Sequence, residues 1–79
     1  MILQEFLRVI PYDTELRFLN FVGDNASPER DGRASVRDFF DKPAYSIFMD
    51  SEVLTAKPCI SIGGKPMMEV RIRSADYLP

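Results

Sequence analysis

Arg17 stands between Leu16 and Phe18, Arg71 between Val70 and Ile72, and Arg73 directly after Ile72. Successive side chains of a β-strand point to opposite faces, so the apolar neighbours turn inward and the guanidinium groups turn outward. If the two strands belong to one sheet, a basic stripe results, able to hold phosphate or an acidic protein surface. Glu15 and Glu69 share that face by the same parity and neutralise part of it. Phe21 is the aromatic nearest the stripe. The alternation is ambiguous at Leu19-Asn20-Phe21, where the strand is either bulged or covered on both faces. Arg30 and Arg33 make a second basic patch in the polar loop that follows. Arg17, Phe21, Arg71, Arg73, Arg30 and Arg33 are therefore the candidate binding residues.

Other reactive groups are sparse. The chain has no histidine, which removes the commonest general base and transition-metal ligand and excludes Ser-His-Asp and Cys-His catalysis. The single cysteine, Cys59, cannot close an internal disulfide. It lies between Pro58 and Ile60 and reads as a buried, inert thiol. Asp24, Asn25, Glu29 and Asp31 offer oxygen ligands, but their spacing is not that of an EF-hand, and Arg30 and Arg33 sit among them. A solvated loop is the simpler reading. The pairs Asp38/Asp41 and Asp50/Glu52 could do acid–base work only in a concave site that separates their pKa values. Met67-Met68 places one methionine inside and one outside. The expectation is a protein without catalytic residues, metal or cofactor.

The elements that must position these residues follow from periodicity. Leu3, Phe6, Leu7 and Ile10 define an amphipathic helix that Pro11 stops. Thr14 to Val22 alternates as a strand. Gly23 to Ala34 lacks periodicity and reads as a loop. Ser35 is a helix N-cap with Asp38 three residues on, ahead of Val36, Phe39 and Phe40. Pro43 ends or kinks that helix, and a short helical turn through Tyr45, Phe48 and Met49 follows. Glu52 onward is extended, interrupted at Pro58. Gly63-Gly64-Lys65-Pro66 turns the chain into a return strand over Met67 to Arg73, with Met68, Val70 and Ile72 on one side. Ser74 to Pro79 is a tail, with Tyr77 and Leu78 as anchors. The predicted fold is α+β, a small antiparallel three-stranded sheet with two helices packed on one face, in the order α-β-α-β-β.

Composition bounds the rest. Seventy-nine residues make one domain over 1–79, and 46 % hydrophobic content with six Phe and three Tyr suffices for one core. A chain this short buries roughly 60–65 % of its unfolded surface, so a modest stability is expected. The net charge of −2 argues against nucleic acid as the main partner without excluding a local basic patch. No segment approaches the roughly 20 apolar residues that span a bilayer, so no membrane role is expected. The lone thiol and the absence of a basic, apolar leader point to a reducing cytoplasm.

The stretch Leu3-Gln4-Glu5-Phe6-Leu7-Arg8-Val9-Ile10 followed by Asp13-Thr14-Glu15-Leu16-Arg17 resembles small accessory proteins encoded by phages and other mobile elements of gut bacteria. Ser35-Val36-Arg37-Asp38-Phe39-Phe40, Ser51-Glu52-Val53-Leu54 and Glu69-Val70-Arg71-Ile72-Arg73 extend the likeness over most of the chain. It rests on patterned hydrophobics, and the chain departs from the usual members in its longer Gly23 to Ala34 segment and a less acidic first turn. The resemblance implies a non-enzymatic protein that binds and inhibits a host factor in the bacterial cytoplasm, as anti-CRISPR proteins do. It carries over no residue role. Two other readings stand beside it: a nucleic-acid-binding module using the basic sheet face, and a structural homo-oligomer, such as a homodimer, paired through the edge strand containing Pro58 or through exposed aromatics.

Overall fold

Two β-hairpins and a helical crossover between them account for the architecture. The computed structural model describes residues 1–23, 26–28 and 30–74, with the backbone alone at 30 and 31. A short helix, α1 (Leu3–Leu7), precedes β1 (Glu15–Val22) and β2 (Arg30–Ser35). Then come α2 (Val36–Asp41), a 3₁₀ helix over Pro43–Phe48, β3 (Glu52–Ile60) and β4 (Pro66–Ser74). The strands form one sheet in the order β2-β1-β4-β3. The class is α+β, as expected, but with four strands rather than three.

The added strand is β2, which occupies part of the segment read as a loop. Its sequence, Arg30-Asp31-Gly32-Arg33-Ala34-Ser35, holds almost no apolar residue. It pairs antiparallel with β1 from Glu15 opposite Ser35 to Asn20 opposite Arg30. An edge strand needs one bonded neighbour and tolerates charge, which also protects its open side from further pairing. Gly32 lies opposite Phe18. A Cβ at Gly32 would stand 3.0 and 3.1 Å from Cε1 and Cζ of Phe18, so the missing side chain is what lets the ring lie across the edge.

The second difference is direction. β1 and β4 pair in parallel, from Leu16 opposite Met68 to Val22 opposite Ser74, whereas an all-antiparallel sheet was expected. Within each hairpin the strands are antiparallel. The chain leaves β2 at one end of the sheet, and α2 with the 3₁₀ helix carries it back so that β3 starts at the other end. Parallel neighbours require such a crossover, and residues 36–51 supply it.

The core lies between the sheet and the helices. Leu3 and Leu7 of α1, Leu16 and Phe18 of β1, Val36 and Phe39 of α2, Phe48, and Val70 and Ile72 of β4 form one buried cluster. Phe18 is its aromatic centre: its ring lies 5.3 Å from Phe39, 5.6 Å from Phe48 and 6.0 Å from Tyr45. At one end of the sheet, buried Ser74 donates to Asn20 Oδ1 at 3.1 Å and shares a hydrogen bond with Ser51 at 3.2 Å. The Ser51 carbonyl accepts from the Leu3 amide at 2.8 Å, which ties α1 to the start of β3.

Smaller corrections have local causes. α1 ends at Leu7 rather than Ile10, because the Val9 and Ile10 amides bond back three residues to Phe6 and Leu7 in a tighter turn. β3 continues through Pro58, and its register shift lies between Val53 and Thr55. An outer strand can hold proline, since its missing N–H need cost only an edge bond. The tail anchors Tyr77 and Leu78 lie outside the described residues. The N-cap at Ser35 takes its expected form: its Oγ accepts from the Asp38 amide at 3.2 Å, and the Asp38 carboxylate accepts from the Ser35 amide at 3.1 Å.

Unfolding measurements on three positions test this account. Gly32→Val should lower the free energy of unfolding in urea by about 1–3 kcal/mol. The same change should cost less in a Phe18→Leu background, and strict additivity would contradict the ring contact. Ser35→Ala should cost about 1 kcal/mol. The Ser35 amide, with Lys42 nearby, holds the Asp38 carboxyl below its usual value against a partial desolvation that raises it. A depressed carboxyl contributes stability above its unfolded pKa and loses it as pH falls through the folded one. The stability gap between wild type and Asp38→Asn should therefore close as pH drops below about 4, and a gap unchanged in acid would refute the capping role.

Candidate functional site

The helices cover one face of the sheet, and the strand register decides what stands on the other. Arg17 lies opposite Arg33 on β2 and opposite Glu69 on β4, and Glu69 lies opposite Lys57 on β3. Directly opposed residues share a face, so one row of four charges crosses the sheet. The next row holds Leu19, Arg71 and Thr55, and the one beyond holds Phe21, Arg73 and Glu52. The register thus brings Arg17, Arg71 and Arg73 to one face, with Leu16 and Val70 buried on the other.

Glu69 is the centre of this face and is only 7 % exposed. Its Oε1 lies 3.7 Å from Arg17 Nη1, and its Oε2 lies 3.5 Å from both Lys57 Nζ and Arg71 Nε. At these distances the contacts are ion pairs, and Oε2 has no hydrogen-bond partner. Desolvating a carboxylate is expensive, and three surrounding cations offset it. The same carboxylate draws Arg17, Lys57 and Arg71 together, so it organises the stripe as well as neutralising part of it. Glu15 and Glu52 stand exposed at the margins.

Arg73 and Phe21 form a unit. The Arg73 guanidinium carbon lies 5.7 Å from the Phe21 ring centre, and its Nη1 donates to the Gly23 carbonyl. Phe21 is on the helix-free face, as the candidate reading requires, yet it is 7 % exposed beneath that guanidinium. It is not an open stacking platform. Arg30 and Arg33 do not form a second loop patch: both belong to β2, and three residues apart in a strand they have opposite parity. Arg33 joins Arg17 instead, while the side chain of Arg30 lies outside the described residues.

Residues that periodicity did not single out complete the site. Lys57 is one, and alignment of β3 with β4 through the Gly63-Gly64 turn would have paired it with Glu69. The hairpin tip is another. Cys59, Ile60 and Ile62 belong to the outer hairpin, yet they line a concavity of about 490 Å³ together with Arg17, Gly32 and Arg33. The tip and β2 therefore border one hollow. Met67 stands beneath it, buried, while Met68 packs against the core. Cys59 is half-buried at this concavity rather than sealed in the interior.

Of the other acidic groups, Asp38 is occupied in the helix cap, Asp41 and Asp50 are exposed, and the backbone of Asp31 pairs opposite Leu19. Asp24, Asn25 and Glu29 lie outside the described residues, as does the side chain of Asp31. Among the described residues no cluster of three or more Cys, Asp or Glu is placed to hold a metal ion, and no helix is long and apolar enough to cross a membrane. No family model, no curated protein and no solved structure matches the chain.

Glu69→Gln keeps the shape and removes the charge that holds three cations together. It should lower stability by about 1–3 kcal/mol, less than a fully buried pair because the cations are half-solvated. The loss should shrink as salt screens the like charges, and a loss independent of ionic strength would refute the electrostatic account.

Proposed function

We propose that this chain is a non-enzymatic binding protein that docks an acidic surface of a partner protein on its helix-free sheet face. One observation carries the reading: Arg17, Arg33, Lys57, Arg71 and Arg73 hold register positions on one uncovered face around a single desolvated carboxylate, Glu69. Half-exposed cations gathered in this way favour a complementary negative surface and speed its encounter. Arginine anchors close to apolar residues such as Leu19 and Met67 are the side chains that dominate protein interfaces. The lack of histidine and the scattered carboxylates favour binding over catalysis.

Nucleic acid is the weaker alternative for the same cations. Sheet proteins that read single strands stack bases on exposed aromatics. Phe21, the aromatic on this face, is taken up by Arg73 and offers no open ring for a base. The resemblance to mobile-element accessory proteins supplies the setting: a host factor, such as a component of bacterial defence, bound in the reducing cytoplasm and inhibited by occlusion.

Retention on immobilised poly-L-glutamate and on a single-stranded oligonucleotide of equal charge tests the reading. Wild type should bind polyglutamate at low salt and be eluted by salt. Arg17→Gln/Arg71→Gln/Arg73→Gln should be less stable, because Glu69 loses two of its three cations, but below its unfolding transition should show at least about a tenfold loss in affinity. Equal retention of the variant would overturn the proposed face, and much stronger binding to the oligonucleotide would replace the protein partner with nucleic acid.

A further inference from the structure

The geometry points to an anchor subsite within this face: the concavity under the β3–β4 hairpin tip takes an acidic side chain, with an aliphatic neighbour, from an extended peptide segment of the partner. The inference rests on the binding role proposed above and names what is bound. Its first support is an electrostatic anomaly. Arg17 and Arg33 are directly opposed across the β1–β2 ladder, where like charges destabilise a sheet. Arg17 is answered by Glu69, but Arg33 makes no ion pair among the described residues. Its guanidinium faces solvent at the wall of a concavity of about 490 Å³ that Arg17 also lines. A carboxylate entering there would relieve the repulsion and accept paired N–H donors from a planar guanidinium.

The opposite wall is apolar. Ile60 is 75 % exposed and Ile62 is 99 % exposed, and both line the concavity with Arg17 and Arg33. A second hollow of about 210 Å³, lined by Glu15, Arg33, Ser61, Lys65 and Met67, adjoins it. An acidic side chain with an aliphatic neighbour on one strand therefore meets matching chemistry in the first concavity, where Arg17 and Arg33 face Ile60 and Ile62, while the Glu15 carboxylate disfavours a further acidic residue in the second. Met67 contributes a flexible thioether that can repack against different aliphatic side chains. Addition of the peptide as an extra strand on β3 is a poorer arrangement, because Pro58 lacks a backbone N–H.

Titration of the isotopically labelled protein with acetyl-(Glu-Leu)3-amide, followed by amide chemical shifts, tests the subsite. Shifts should centre on Gly32, Arg33, Ser61, Ile62 and Met67. Arg33→Gln should weaken binding about tenfold, and Ile62→Ser should weaken it several-fold, both at exposed positions that spare the fold. Arg8→Gln should change it less than about twofold, since Arg8 is exposed and lies outside the concavity and the binding face. The glutamine counterpart of the peptide should bind much more weakly. Shifts confined to the Arg71–Arg73 end would overturn the subsite and leave the binding face standing. Equal binding of the glutamine peptide would remove carboxylate recognition, and equal shifts with inorganic phosphate would reduce the concavity to a general anion site. Loss of polyglutamate retention by the triple variant, with no peptide response, would separate a valid face from a failed subsite.

Discussion

The parallel pairing of β1 with β4, Leu16 against Met68 through Val22 against Ser74, is the contact on which both faces of the sheet depend. It stacks Phe18 beside Val70 and Asn20 beside Ile72 under the helices, and it places Arg17 beside Glu69 and Phe21 beside Arg73 on the uncovered side. A slip of one residue in either strand would exchange the faces, sending guanidinium groups into the core. Burial of Leu16, Val70 and Ile72 therefore enforces the charge arrangement from the opposite side of the sheet.

Glu69 converts that register into a local electrostatic structure. A carboxylate with three cations at 3.5–3.7 Å and one unbonded oxygen is held by charge rather than by hydrogen bonds. Because the cations keep much of their exposure, they retain hydration and reach. The opposite end of the sheet is closed by neutral groups, Asn20, Ser74 and Ser51, whose hydrogen bonds satisfy one another in the interior. Charge is thus concentrated where the sheet meets solvent, and uncharged polarity where it meets α1.

Several elements were legible because a single local pattern specifies them. The alternation of Leu16, Arg17 and Phe18, and of Val70, Arg71 and Ile72, placed those arginines on one side of their strands before any pairing was known. The Ser35–Asp38 box marked the start of α2, and Gly64, at φ 81°, makes the turn that Gly63-Gly64 suggested. β2 was not legible, because its side chains pack little and its strand character comes from pairing with β1. The same reason hid Arg33 as a neighbour of Arg17 and made Arg30 and Arg33 look like a loop patch. The phase of Phe21, which the alternation left open, is fixed by its pairing opposite Arg73, remote in sequence, whose guanidinium also lies over its ring.

What the sequence determined by itself is therefore the inward and outward residues at Leu16–Phe18 and Val70–Ile72, the Ser35 cap and the Gly63-Gly64 turn, and the poverty of catalytic groups, since all of these follow from local sterics, hydrogen bonding and composition. Tertiary structure alone decided the strand order, the parallel central pair, the union of Arg17, Lys57 and Arg71 around Glu69, the placing of Arg33 opposite Arg17, and the hollow that Ile62 and Met67 line together. Those features join residues far apart in the chain, and their free energy arises only when separate segments meet and exclude water together.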